Sequence, residues 1–186
     1  MNKNLKILLA SFSLITLAGG LFGPLYAVFV EKIGGGLISA GGAYSFFSIS
    51  AGILIFLMGK WEDRVKHQEK LVLFGYLLNS LGFLGYMFIN RPIELFAVQI
   101  ILGIGEAIWT PAFDSLYTKS LDKGKFASEW GMWDSLHFII TGISAMIGGF
   151  IATILGFKFL FLIMFLLSIS GTIIVSLLLL SERSRP

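Results

Sequence analysis

The stretch GKWEDRVKHQEK, residues 59–70, lies between two long apolar runs and carries seven charged side chains in twelve positions. No charged residue occurs at positions 33–58 before it or at positions 71–90 after it. The whole chain has only 14 basic and 11 acidic residues, so charge is concentrated here. Apolar runs of this length on both sides indicate a polar loop between two segments that lie out of water.

Composition indicates a membrane protein. Hydrophobic residues make up 56% of the 186 residues and charged residues only 13%, which is far more apolar than a soluble domain. Since about 20 apolar residues cross the hydrocarbon core of a bilayer, we predict an all-α membrane protein with six transmembrane helices. They form a single membrane domain over residues 1–186, and the expected spans are roughly 7–30, 37–58, 71–89, 93–117, 130–155 and 159–180.

Several functional classes are not expected from the residues available. The first apolar run, 24 residues long, exceeds the about 7 to 15 residues of a signal peptide. Cysteine is absent, so there is no disulfide framework and no thiolate metal site. The sequence GISA contains Ser144, but His137 lies about 10 Å away along the same helix, too far for a catalytic dyad. We expect no enzyme, no metal site and no cofactor beyond a coupling proton or cation.

The distribution of lysine and arginine predicts the orientation. With six spans, eleven of the fourteen basic residues fall on one side of the membrane, and three, Lys32, Arg91 and Lys158, fall on the other. Short loops rich in lysine and arginine stay in the cytoplasm. Both termini and the loop at residues 59–70 are therefore expected in the cytoplasm, and the net charge of +3 reflects this topology rather than nucleic-acid binding.

Four stretches carry a resemblance to a known family. GKWEDR resembles the signature loop of the major facilitator superfamily, in which a glycine and three variable residues precede Asp-Arg between the second and third helices. GPLYAVFVEKIGGG is similar to the end of that family's first helix, GIGEAIWTPAF to its fourth, and IGGFIATILGFKFLF to its fifth and the turn into the sixth. The resemblance implies the N-terminal six-helix half of a transporter, built from two three-helix repeats.

The resemblance also implies a role for Gly59, Asp63 and Arg64 as a cytoplasmic gating motif. In the family this Asp lies beside a helix N-terminus, whose dipole favours a carboxylate, and the Arg pairs with acidic residues across the interface between halves. Such exposed contacts are individually weak, which suits a latch that must open. The alternative is a solvated loop whose charge only anchors the topology.

Glu106 is the strongest candidate for chemistry inside the membrane, because a charged side chain costs about 2.5–3.5 kcal/mol at the centre of a spanning helix. Gln99, Glu106 and Thr110 fall on one stripe of the fourth span, with Trp109 beside Glu106. We predict that these four residues line a substrate or ion pathway. Three roles for Glu106 remain open: attraction of a cationic substrate, exchange of a coupling proton, or a hydrogen-bonded carboxyl that serves only packing.

Asp134 and His137 lie one helical turn apart in the fifth span, close enough to touch. A histidine beside a carboxylate is able to relay protons, so the two residues form a candidate proton relay. The alternative is a satisfied pair at the helix entrance, where Asp134 reaches water by snorkelling.

Taken together, these features predict a half-size transporter of the major facilitator type that moves a small solute by alternating access. Six helices supply only one wall of a central cavity, so the expected partners in the lipid bilayer are a second copy of the chain or a second transporter half. The alternatives are an accessory, non-transporting membrane subunit and the N-terminal half of a split transporter. The expected location is the plasma membrane.

Overall fold

The computed structural model describes the backbone of residues 3–183 and the side chains of residues 3–179. Regular structure in this range is helical. In chain order the elements are α1 (Lys3–Gly20), a short 3-10 helix (Gly23–Leu25), α2 (Tyr26–Lys32), α3 (Leu37–Glu62), α4 (Gln68–Tyr86), α5 (Pro92–Ser120), α6 (Phe126–Ile154) and α7 (Phe157–Arg183). Each predicted span overlaps one of these helical stretches, and the first span is divided between α1 and α2.

The division of the first span follows from Pro24. Proline has no backbone N–H and cannot continue the hydrogen bonding of an α-helix. The chain therefore leaves α1 after Gly20, passes through the 3-10 helix that contains Pro24, and resumes as α2 at Tyr26. The break directs the Tyr26 side chain towards α5, where its hydroxyl accepts a hydrogen bond from Gln99.

The helices differ in how much of their surface the protein covers. α4 packs against both α5 and α7, while α1 packs against α6 and α7. α3 also contacts α5, but most of its side chains remain exposed, and the same is true of α6. The bundle therefore has a covered interior around α4, α5 and α7 and two helices, α3 and α6, with largely unpaired surfaces.

Close approach of α4 and α5 depends on two glycines. A Cβ atom added to Gly75 of α4 would lie 2.7 Å from the backbone oxygen of Gly105 in α5, which is far inside van der Waals contact. On the other side of α4, the hydroxyl oxygens of Ser80 and Ser168 lie 2.6 Å apart and form a hydrogen bond between α4 and α7. Polar and glycine positions of α4 thus face its neighbouring helices.

Aromatic side chains fill both ends of the bundle. Near the break in the first span, the Phe22 ring lies 4.9 Å from the Tyr86 ring and 5.1 Å from the Phe161 ring, centroid to centroid. At the end where α1 begins, Phe12 and Phe113 are 5.6 Å apart within a second buried cluster. Edge-on and tilted ring pairs of this kind stabilise packing beyond the area they bury.

Five helical segments among the described residues are long and apolar enough to cross a membrane: 3–32, Leu37–Glu62, Pro92–Ser120, Phe126–Ile154 and Phe157–Leu179. α4, which corresponds to the predicted span 71–89, does not reach the same hydropathy. It begins with Gln68, Glu69 and Lys70 and contains Asn79 and Ser80. The count of six spans and the arrangement in two three-helix repeats therefore remain predictions.

Adjacent glycines in α6 provide a test of this packing. A Cβ atom at Gly148 would collide with the backbone carbonyl of Leu21, whereas one at Gly149 would meet nothing within 4 Å. We expect Gly148→Ala to lower the free energy of unfolding by about 1–3 kcal/mol through overpacking, measured as a lower thermal midpoint of the purified protein. Gly149→Ala is the matched control and should be neutral or stabilising, since alanine favours the helix by up to about 1 kcal/mol. Equal effects of the two substitutions would contradict the contact between α6 and Leu21.

Candidate functional site

Glu106 is the middle residue of α5, which runs from Pro92 to Ser120. Its carboxylate accepts two hydrogen bonds from its own helix: the Trp109 indole N–H donates to Oε2 at 3.0 Å, and the Thr110 hydroxyl donates to Oε1 at 3.2 Å. These donors lie three and four residues further along, the spacing that places side chains on one helix face. Each carboxylate oxygen is therefore held by a neutral donor.

Asn79 of α4 lies beside the Glu106 carboxylate. It reaches this position because α4 and α5 approach closely at Gly75 and Gly105. Asn79 is buried, and within the described part of the chain its Oδ1 atom has no hydrogen-bond partner. The surroundings of Glu106 thus combine the carboxylate, two neutral donors and one unused amide oxygen.

Gln99 connects three helical elements. Its amide nitrogen donates to the Tyr26 hydroxyl of α2 at 2.8 Å, and its amide oxygen accepts from the Tyr86 hydroxyl of α4 at 3.4 Å. The side chain is only 3% exposed. Gln99 therefore holds α2, α4 and α5 together, and both ends of its amide are already engaged.

A cavity of about 640 Å³ runs along this face of α5. All seven α-helices and the 3-10 helix contribute residues to its wall. The wall includes the four residues of the predicted pathway, Gln99, Glu106, Trp109 and Thr110. Among the described residues, the wall includes the carboxylates of Glu106 and Asp114 but no lysine or arginine. Its aromatic members are Phe12, Phe22, Tyr26, Tyr44, Phe47, Phe83, Tyr86, Trp109, Trp133 and His137. The cavity is therefore aromatic and acidic.

The structure does not join Asp134 to His137. The His137 ring stacks on Trp133 with a centroid distance of 6.3 Å and an interplanar angle of 19°, and it lies 6.0 Å from the Phe12 ring. Both side chains are exposed, and His137 lines the cavity whereas Asp134 is not part of its wall. The His137 ring also lies 5.5 Å from the Phe138 ring, between centroids. A proton relay between them remains a prediction.

The gating motif lies at the end of α3 and in the loop that follows. Asp63 caps the C-terminus of α3 through its backbone N–H, which donates to the Gly59 oxygen at 3.2 Å. The side chains of Asp63 and Arg64 are both exposed, whereas the neighbouring Glu62 is buried. Gln68 stabilises the loop through two hydrogen bonds. Its amide nitrogen donates to the backbone oxygen of Glu62, and its amide oxygen accepts from the Lys119 ammonium at 2.8 Å.

Sequence reasoning missed several polar members of the cavity wall, among them Tyr26, Tyr86 and Asn79. Asn79 carried a usable signal, since a polar amide within the apolar run 71–89 is uncommon in a spanning helix and marks a functional hypothesis. Tyr26 and Tyr86 carried no such signal, because tyrosine is common at the ends of spanning helices, where it anchors them at the membrane surface.

These features define a multi-span helical membrane protein whose bundle surrounds an aromatic cavity with an acidic residue at the middle of one helix. A family model described as the Major Facilitator Superfamily matches residues 8–186. The chain therefore belongs to the Major Facilitator Superfamily of membrane transporters and is an integral membrane protein.

Two curated relatives illustrate the similarity. The chain is 26% identical over 139 residues to the uncharacterized MFS-type transporter YitZ of Bacillus subtilis (strain 168), and the alignment covers 73% of this chain and 82% of YitZ. It is 27% identical over 138 residues to the quinolone resistance protein NorB of Staphylococcus aureus (strain bovine RF122 / ET3-1), covering 72% of this chain but only 28% of NorB. The chain thus matches most of the first relative and a minor part of the second.

Exposure of the cavity to water is testable at Glu106, because the chain contains no natural cysteine. We expect a cysteine at position 106 (Glu106→Cys) to react with a small hydrophilic thiol reagent in native membranes, detected as a mass or gel shift. Ala107→Cys is the matched control, since Ala107 is fully buried on the same helix and should be protected. Complete protection of the cysteine at position 106 under all conditions would remove this residue from a water-accessible pathway.

Proposed function

We propose that the chain moves a small organic solute across the membrane by alternating access, working as one half of a two-half assembly. The observation that carries this proposal is the cavity of about 640 Å³ around Glu106, within the range of about 300–1,000 Å³ that suits small-molecule sites. Placing an acidic side chain at the middle of a spanning helix costs free energy, and such residues usually mark a substrate or ion pathway. A cavity near the middle of the bundle is also where such transporters bind their substrates.

The surfaces of α3 and α6 support a partner that completes the cavity. Both helices contribute to its wall, α3 through Tyr44 and Phe47 and α6 through Trp133, His137 and Thr141. On α3, a stripe of small residues is exposed: Gly41, Ser45, Ser48 and Gly52. Small residues allow close approach of a neighbouring helix in a membrane. A second wall against α3 and α6 would bury this stripe and close the cavity on its open side.

A second copy of the chain is the partner we favour. With both termini in the cytoplasm, as the distribution of basic residues indicates, two copies inserted in the same direction are related by a two-fold axis along the membrane normal. Two Glu106 residues would then face one cavity. A different second half would serve the same purpose, and a non-transporting subunit remains the alternative function.

Within this proposal, Glu106 is the group through which a proton or a cationic solute is coupled to the change of state. The hydrogen-bond donors of Glu106 are neutral. A bound cation or proton would therefore neutralise the carboxylate in one conformational state of the transporter and dissociate from it in the other. Asp63 and Arg64, exposed at the cytoplasmic end of α3, form the latch that holds the two halves together on that side. The relation to NorB, named for quinolone resistance, adds support for an organic rather than an inorganic cargo.

Loss of the latch should shift the balance between states without a change in the cavity. We expect Asp63→Asn and Arg64→Ala to increase labelling of a cysteine at position 110 (Thr110→Cys) from the cytoplasmic side by about two- to fivefold, as for the loss of an exposed ion pair. The rate of labelling by an impermeant reagent, added from each side, measures the shift. Lys66→Ala removes an exposed charge from the same loop and should leave the ratio of cytoplasmic to external labelling rates unchanged. An unchanged ratio in Arg64→Ala would contradict the latch.

The assembly is testable with differently tagged copies. One copy carries a cysteine on α3 (Ile49→Cys) and the other a cysteine on α6 (Ile147→Cys), both at positions exposed on the isolated chain. We expect oxidative cross-linking between the tags in native membranes, because the two-fold axis places α3 of one copy against α6 of the other.

Leu81→Cys on α4 is the control, since Leu81 is equally exposed on a helix whose other surfaces are covered. It should not cross-link in a symmetric dimer. A chain that remains monomeric when expressed alone, but cross-links through α3 and α6 to a different gene product, would replace the homodimer with a split transporter.

A further inference from the structure

The charge of the cavity wall points to a substrate class. Two carboxylates, Glu106 and Asp114, line the cavity, and no lysine or arginine of the described chain does so. His137 is the remaining titratable side chain of the wall that carries a positive charge in its protonated form. When these carboxylates are ionised, the wall has a negative potential that no lysine or arginine of the described wall offsets, and an anionic solute would enter it unfavourably.

The partners of the Glu106 carboxylate in this chain carry no charge. Its partners are the Trp109 indole N–H at 3.0 Å, the Thr110 hydroxyl at 3.2 Å and the neighbouring Asn79 amide, all neutral. Neutral donors orient a carboxylate but leave its net charge uncompensated. In a partly buried site an unpaired charge is unfavourable, so a positively charged ligand is the group that would complete the site.

Aromatic rings share the cavity wall with this carboxylate. Trp109, which donates to Glu106, lies 6.5 Å from the Phe12 ring, and Phe12 lies 5.0 Å from the Trp133 ring, between centroids. Trp133 in turn stacks on His137 at 6.3 Å. Aromatic faces attract cations, and they also accept flat or bulky apolar groups. A carboxylate beside such rings suits a cation whose charge is carried on an apolar body.

Polar solutes such as sugars fit this wall poorly. A sugar needs several free donors and acceptors, but both ends of the Gln99 amide are engaged by Tyr26 and Tyr86. The carboxylate oxygens of Glu106 already accept from Trp109 and Thr110. Most remaining wall residues are aromatic or aliphatic, so few polar atoms remain to replace the water that a sugar would lose.

From these observations we propose that the cavity binds amphipathic organic cations, with Glu106 as the counter-charge and Phe12, Trp109 and Trp133 as the aromatic wall. This assignment deepens the proposed transport function and rests on it for its physiological meaning, although binding itself requires only the cavity. Asp114, further along the same wall, extends the negative potential towards the end of α5.

Tetraphenylphosphonium and tetraphenylborate are matched probes, because they share size and shape and differ in the sign of their charge. We expect the full-length protein in nanodiscs of uncharged lipid to bind tetraphenylphosphonium saturably and tetraphenylborate more weakly, measured by radioligand binding or isothermal titration calorimetry. Glu106→Gln should weaken tetraphenylphosphonium binding by about 30-fold or more, as for the loss of one partner of a buried charge pair. Glu106→Asp keeps the charge and should keep the preference for the cation.

Glu94→Gln is the matched control, since Glu94 lies on the same helix but is exposed in its first turn and caps the helix start. It should bind as the wild type does. Thermal unfolding of Glu106→Gln establishes that the variant is folded before its affinity is compared. Equal affinity for the two probes, a preference for tetraphenylborate, absence of saturable binding, or wild-type affinity in folded Glu106→Gln would each overturn the cation assignment.

The test separates this assignment from the transport proposal. Cross-linking of α3 to α6 and labelling of position 110 from both sides use no ligand, so they report on the assembly and the change of state alone. A chain that cross-links and alternates but prefers tetraphenylborate keeps the transport proposal and loses the cation assignment. A chain with the predicted charge preference that neither assembles nor alternates keeps the cation site and loses transport.

Discussion

The structure depends on one constraint: a polar group inside an apolar helix bundle must find its partners within the protein. Glu106 meets this constraint through Trp109 and Thr110, which lie on its own helix at the spacing that reaches both carboxylate oxygens. Asn79 joins from α4, and it does so because Gly75 brings the backbone of α4 against α5. The acid is thus partnered by side chains of its own helical turn and by a neighbouring helix that two glycines allow to approach closely.

The same constraint explains where sequence hydropathy and structure diverge. Hydropathy compares a helix with lipid, but α4 lies between α5 and α7. Its polar residues Asn79 and Ser80 are buried, and Ser80 bonds to Ser168 of α7 at 2.6 Å. The hydropathy of α4 is therefore lower than that of the five segments that are apolar enough to cross a membrane. Its apolar run was nevertheless visible in the sequence from the absence of charge at positions 71–90. The position of this apolar run followed from the sequence. The polar residues within α4 are explained only by the helices that pack against it.

The site was partly predictable for a similar reason. Helical periodicity places Gln99, Glu106 and Thr110 on one face, and all three line the cavity. Periodicity does not reveal that Gln99 is engaged by Tyr26, which lies 73 residues earlier in the chain and reaches it through the break at Pro24. Spacing also predicts a contact between Asp134 and His137; in the structure the His137 ring stacks on Trp133, and the proton relay stays a prediction.

In the proposed two-half assembly, the partner at α3 and α6 would decide the final charge of the cavity. Within this chain the hydrogen-bond partners of Glu106 are neutral, so they do not offset a negative charge on its carboxylate. A second copy would place two such carboxylates around one cavity and strengthen its attraction for cations. A different second half is able to contribute an arginine or lysine and to neutralise the acid instead. In the proposed assembly, the identity of the partner and the charge of the cargo would therefore be linked, and an assembly of identical chains would be the simplest way to prefer cations.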